Sequence, residues 1–319
     1  MSYKLLLFFT IIFFLLLKIR FIFDLSRTGI NHLKSYYNNL KNYNSFSKSY
    51  INSQSNLINF NKRFISRNNS RILITYVYKE SDYAKENLNF FIKNGLFYSE
   101  KIQINIIVKG NKCSANLPTL KNLKIYKTVN LGRDFSGYAD SINKVDVNNF
   151  DYFIFLNDTV RGPFLPRYLD KKIWPFLFIS LLSNKTKLVG STINYWHDGK
   201  NNEDTKHIQS MSFATDKIGI KLIIDNNIFN KKLHEKYLKE SIQSYIGKFE
   251  VGLSNIFLKN GFNIDCLQQS LNSKILKEHG DIYIDLYFGE LINPLEIMFI
   301  KTNKFSSKIL NNYTLWNKD

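Results

Sequence analysis

The fold class predicted by the sequence is α/β, a mostly parallel central sheet with helices on both faces. Short apolar runs rich in β-branched and aromatic residues, RILITYVY from Arg71, IQINIIVKG from Ile102 and DYFIFLND from Asp151, lack the polar alternation of a half-solvated strand. Such strands need cover on both sides. Between the first two, the stretch from Ser81 to Asn94 places Tyr83, Ala84, Leu88, Phe91 and Ile92 at helical spacing, the alternation of a βαβ unit. A chain of 319 residues that is 44% apolar and 15% aromatic, with 5 Pro and 14 Gly, can bury a core of one large or two ordinary domains and is not a disordered or collagen-like polymer.

The first element is apolar. Leu5 to Leu17 reads LLLFFTIIFFLLL without a charge, and Phe21, Ile22 and Phe23 follow Lys18 and Arg20. Thirteen helical residues span about 20 Å of a roughly 30 Å hydrocarbon core, and snorkelling Lys18 and Arg20 extend the usable stretch to Phe23. No small-residue cleavage site follows the run, so residues 1–25 are expected to be an uncleaved signal anchor of a single-pass membrane protein. Residues 26–70, rich in Asn, Ser, Lys and Tyr without an apolar period, read as a stem, and residues 71–319 as the globular body. Orientation stays open. Lys18, Arg20 and Arg27 favour a cytosolic body, whereas the sequons at Asn68, Asn184 and Asn312 suit a lumenal one, in the Golgi or endoplasmic reticulum of a eukaryote.

Within the body a strand from Arg71, the helix 81–94 and a strand from Ile102 to Gly110 are followed by a loop containing Pro118 and the strand LKIYKTV, Leu123 to Val129. A Gly-containing segment then starts a helix that leads to the strand Asp151 to Asp158. KLVGSTINYW, Lys187 to Trp196, reads as a further strand, and Val251 to Lys259 as a later helix.

The formal charge is +18, from 44 basic and 26 acidic residues. Only 8 of the basic residues are Arg and 36 are Lys, and the lysines are scattered. Arg is the side chain that reads phosphate and guanine bidentately, so the charge describes a solvated basic surface near anionic lipid or acidic substrate and not a nucleic-acid binder. Cys113 and Cys266 have no metal-ligand spacing and are too few for a disulfide scaffold.

Polar groups cluster at strand ends. Asn157 and Asp158 close the most apolar strand, where a carboxylate either offers oxygen to a hard divalent cation or starts a turn, as Asx residues do. Arg161, in the loop TVRGPFLP that follows, is placed to hold a diphosphate, to orient Asp158 or to form a surface ion pair. Upstream, NLGRDFSGY (Asn130 to Tyr138) lies between a strand and a helix. Gly132 lets backbone approach a ligand, and Arg133 and Asp134 set opposite charges at a helix amino end, for binding or for capping. Neither G-x-G-x-x-G nor the Walker G-x-x-x-x-G-K-[ST] is present. His207 precedes a stretch expected to be an apolar helix and is either a pyrophosphate or metal contact or a cap. His197 and Trp196 are placed to face a sugar ring or to pack.

With NLGRDFSGY, YFIFLNDTVRGPFLP (Tyr152 to Pro166), Trp174, KLVGSTINYW, HIQSMSFATD (His207 to Asp216), FEVGLSNIFLKNGFNID (Phe249 to Asp265) and NPLEIMFIKTNK (Asn293 to Lys304), the chain resembles glycosyltransferases of the GT-A (Rossmann-like) type. Within them it resembles a family related to rhamnan synthesis protein F and to membrane-anchored glycosyltransferases of fungi, algae and protists. The resemblance runs from about Arg71 to Lys304. It implies sugar transfer from a nucleotide-diphosphate-sugar donor to a hydroxyl of a glycan, glycoprotein or glycolipid, with Mn²⁺ or Mg²⁺ as cofactor. Asp158 would correspond to the metal-binding acid of a D-x-D-like motif with Asn157 beside it, and Asn130, Gly132, Arg133, Asp134, Tyr138 and Arg161 would meet the donor. Glu250 is similar in position to the acid that activates the acceptor in inverting members, its other role being a helix-start residue. The sequence departs from the pattern in two places. Thr159 and Val160 stand where a second carboxylate is expected, and Asn293 where His is frequent. A non-catalytic carbohydrate-binding or scaffold protein on the same fold is the alternative.

Overall fold

The computed structural model describes residues 67, 69–195, 206–268 and 293–316. The expected anchor at 1–25, nearly all of the expected stem, and Trp196 and His197 lie outside the described residues. Among the described residues, no helix is long and apolar enough to cross a membrane.

The first three strands, β1 (Ile72–Lys79), β2 (Ile102–Lys109) and β3 (Leu123–Thr128), pair in parallel in that order. Helix α1 (Asp82–Asn94) makes the first crossover, its amino end capped by Ser81, whose Oγ accepts the Ala84 N–H at 3.3 Å. After β3 the chain enters α2 (Asp134–Ile142) and crosses to the other side of β1, where β4 (Tyr152–Asn157) pairs with it in parallel. Strand order therefore reverses between β1 and β4, and the crevice outside their carboxyl ends is the topological switch point. The sheet continues through β9 (Ser212–Asp216), antiparallel to both neighbours, to β6 (Thr186–Gly190) and β10 (Asn263–Cys266), giving the order β10-β6-β9-β4-β1-β2-β3. The mostly parallel sheet expected from the sequence is present.

Both faces are covered, which is why the strands carry unbroken apolar runs. Ile72, Ile74, Tyr76 and Tyr78 face α1, α3 (Trp174–Ile179) and the terminal helix α9 (Ser307–Trp316). Leu73, Val77, Phe153 and Phe155 face α2, α4 (Lys217–Asp225) and α7 (Gly252–Lys259). Helix α2 packs close to β1 because residue 137 is Gly, where a Cβ would lie 2.6 Å from Val77 Cγ1. Phe155 stacks on Phe213 at 4.8 Å between centroids, and both are fully buried. Each such ring contributes roughly 1.5–3 kcal/mol.

Three expectations are corrected. KLVGSTINYW is not one strand: β6 ends at Gly190, and Ile193–Tyr195 forms β7, paired only with β8 (Lys206–Ile208) in a separate ribbon. The segment after His207 is not a helix but enters β9, because Phe213 and Ala214 are buried in the sheet, and α4 starts only at Lys217, capped by Asp216. Glu250 is not at a helix start. It lies inside a helical run from Ile242 to Lys259, in a π-helical turn, Ile246–Val251.

Candidate active site

Asp158 lies at the switch point, bridging its two strands. Its Oδ2 accepts the Lys79 N–H at the end of β1 at 2.5 Å, and its carbonyl accepts Asn87 Nδ2 from α1 at 2.8 Å. The side chain is buried, and that burial pushes its pKa up to about 7, with the Lys79 N–H opposing the shift and the Asp134 charge adding to it. Asn157 sits beside it as a brace. Its Oδ1 accepts Thr159 N–H and Oγ1 at 2.9 and 2.6 Å, while Nδ2 reaches Asp134 Oδ2 at 2.5 Å. The bend before α2 and the end of β4 thus meet at one rim.

That bend is built for close backbone approach. Gly132 has φ +69°, and a Cβ there would lie 2.8 Å from Ser136 Oγ, so an L side chain is excluded both by conformation and by space. Lys109, at the end of β2, fastens the bend from below by donating to the Leu131 carbonyl at 2.7 Å and Ser136 Oγ at 2.6 Å. Burial lowers its pKa to about 8, with Asp140 opposing the shift. Asn130 and Arg133 are exposed on the outer lip. Burial raises the pKa of Asp134, the Asn157 hydrogen bond opposes this, and the field of Glu250 adds to it, while Arg133 and Lys301 act to lower it. Lys301 comes from β11 (Ile300–Lys301), which pairs antiparallel with β5 (Val160–Arg161).

Glu250 lies near enough for its charge to act on Asp134. Its Oε2 accepts Ser210 Oγ at 2.7 Å, and His207 Nε2 lies 3.8 Å from its Oε1. The helix that continues from the turn carrying Glu250 is pinned to β8 by Ser254, whose Oγ accepts the Ile208 N–H at 2.9 Å. π-turns of this kind frequently carry functional groups, because the extra residue redirects a side chain.

Asn157, Asp158, Gly132, Asp134 and Glu250 are brought together, but two expected donor contacts are not. Tyr138 is fully buried among Phe135, Phe155 and Phe213, and its hydroxyl donates to the Ser210 carbonyl at 2.8 Å. It supports the Ser210 to Glu250 link from the core. Arg161 stands behind the site with its guanidinium already engaged: Nε donates to Asn87 Oδ1, and the two terminal nitrogens to Thr314 Oγ1 and Glu86 Oε2, all at 2.8–2.9 Å. A diphosphate would have to displace these partners. Sequence reasoning missed Lys109 and Ser210. Lys109 stands out in the sequence as the one charge in the apolar run IQINIIVK, whereas Ser210 carries no signal of its own.

Carboxylate oxygens are the ligands a hard divalent cation takes. At one rim Asp158 carries a buried carboxylate and Asp134 a partly buried one, both held toward the protonated state, and a cation would favour their charged forms. Among the described residues, no three His, Cys, Asp or Glu side chains form a metal cage. His207 faces Glu250 instead of joining Asp158 in such a group.

No protein-family model matches the chain, and no curated protein does. Two solved structures similar to it are a mannosyltransferase from Pyrobaculum calidifontis, in complex with GDP-Man and Mn²⁺, and S. aureus TarS residues 1–349. The first is 9% identical with a TM-score of 0.38, over 62% of this chain and 54% of that one. The second is 13% identical with a TM-score of 0.38, over 63% and 58%. The chain therefore spans little more than half the length of either.

Proposed function

We propose that this protein is a membrane-anchored glycosyltransferase that moves a sugar from a nucleotide-diphosphate donor to a hydroxyl on a glycan, glycoprotein or glycolipid. The observation that carries this reading is the 2.5 Å hydrogen bond from Asn157 to Asp134, which joins the end of β4 to the glycine bend at the switch point. The motifs from NLGRDFSGY to NPLEIMFIKTNK support the same reading.

The chemistry divides among the chain's own residues. The Gly132 bend and the amino end of α2 receive the donor's phosphates, where backbone N–H groups and the helix dipole favour negative charge. Arg133 and Lys301 add positive charge at that end. Asp158 and Asp134 would hold Mn²⁺ or Mg²⁺, which when bound neutralises the leaving diphosphate. Glu250, oriented by Ser210, takes the proton from the acceptor hydroxyl as that oxygen attacks the sugar carbon and the diphosphate leaves with the bonding pair. Leu5 to Phe23 tethers the body to the bilayer.

The test is release of nucleotide diphosphate from a panel of nucleotide sugars, with and without Mn²⁺, by the wild type and by Asp158→Asn. Turnover by the wild type that Asp158→Asn lowers by at least about 100-fold supports the reading. No release from any donor by the wild type reassigns the chain to the non-catalytic alternative.

A further inference from the structure

The rim opposite the candidate site has its own chemistry. Because β1, β2, β3, β4, β6 and β10 run the same way, their amino ends share one edge. Arg71, Lys101, Lys121, Lys124 and Lys185 stand on that edge, all exposed. The first four surround a cavity of about 300 Å³ that also includes Tyr98, 46% exposed, and Phe150. Glu100, Asp146 and Asp151 are acids on the same edge, and Asp151 already accepts the Arg71 N–H at 2.8 Å and lies 3.2 Å from Lys217 Nζ. The chain enters the body on this edge too. Arg67 is buried with its guanidinium on the carbonyls of Ile179 and Leu182, and the chain becomes β1 at Ile72.

We infer that this cationic rim is a membrane-contact surface, fitted to the headgroups of an anionic bilayer. The occupant follows from charge and connectivity. Lysine and arginine clusters next to a membrane segment bind anionic lipid, each side chain adding roughly fivefold in affinity at low salt. Here the cluster lies where the chain leaves the body toward Leu5–Phe23, its one long apolar run. The half-exposed Tyr98 ring suits the headgroup region, where aromatic side chains concentrate. This orientation directs the rim carrying Asp134 and Asp158 away from the lipid. It rests on the membrane tether of the proposed function but not on the transferase chemistry.

The experiment places the full chain in nanodiscs of phosphatidylcholine alone or with phosphatidylserine and follows amide hydrogen exchange. We expect residues 98–103 and 121–124 to exchange at least about fivefold more slowly in the anionic discs, with the effect removed by high salt or by Lys101→Glu/Lys121→Glu/Lys124→Glu. Residues 132–136 and 250 should exchange alike in both. Equal exchange in the two disc types, protection at the opposite rim, or failure of the chain to enter discs overturns the inference. So does equal protection by a soluble acidic polysaccharide without lipid. Nucleotide release measured in the same discs reads the transferase proposal separately.

Discussion

Asn157 donates its side-chain amide to Asp134 at 2.5 Å across 23 residues of sequence, while its carbonyl oxygen holds the Thr159 hydroxyl and amide. One buried side chain thus sets the distance between the glycine bend and the turn after β4. Replacing it with Leu leaves Asp134 without its partner in a desolvated position. Asn157→Leu should lose about 2–4 kcal/mol by urea denaturation, together with most donor turnover. Full stability in that variant would show that the bond holds nothing.

Asp158 gives a pH signature. Its pKa in the folded chain, about 7, lies above the ordinary carboxylate value of 3.8, so the folded state holds the proton more tightly than the unfolded one. The resulting stabilisation is complete below the unfolded pKa and is lost as pH rises through about 7, amounting to about 4 kcal/mol over three pKa units. Asp158→Asn, which cannot ionise, should therefore gain melting temperature over the wild type at pH 8 and little at pH 4, while losing turnover at both. Paired thermal scans at the two pH values check the sign.

Glu250→Gln keeps the shape and the Ser210 contact but cannot accept a proton. Transfer to the acceptor should fall 10²–10⁴-fold with donor KM within about threefold. Ser210→Ala should cost about tenfold, since it loosens the Glu250 carboxylate without removing it. Steady-state kinetics separate kcat from KM in both variants.

Arg161 supplies the contrast. Arg161→Met strands Asn87 Oδ1 in the interior and releases Glu86 and Thr314. It should destabilise by about 2–4 kcal/mol while leaving donor KM unchanged below the melting temperature. A selective rise in donor KM would return this guanidinium to the phosphate site.

The sheet was legible because burial on both faces writes itself into sequence: RILITYVY and DYFIFLND emerge as β1 and β4 within a residue at either end. That the end of β4 and the bend after β3 share one rim follows from topology, since both segments close parallel strands; the contact between them is Asn157 to Asp134. Arg161 and Tyr138 were misplaced for a common reason. Side-chain direction depends on which neighbours have unsatisfied groups, and Glu86 and Thr314 or Ser210 are distant in sequence. The strand after His207 was hidden because Phe213 and Ala214 pack against strands far along the chain, so no local periodicity reports it.

The π-turn at Ile246–Val251 has a consequence for how this chain tolerates length changes. An α-helix turns about 100° per residue, so losing a single codon there would restore a regular spiral and swing the Glu250 carboxylate by a comparable arc. The helix would stay intact on circular dichroism while its acid pointed elsewhere. Insertions and deletions in this stretch are expected to behave as point lesions of chemistry, whereas the same change in the turn near Asn184 should pass unnoticed.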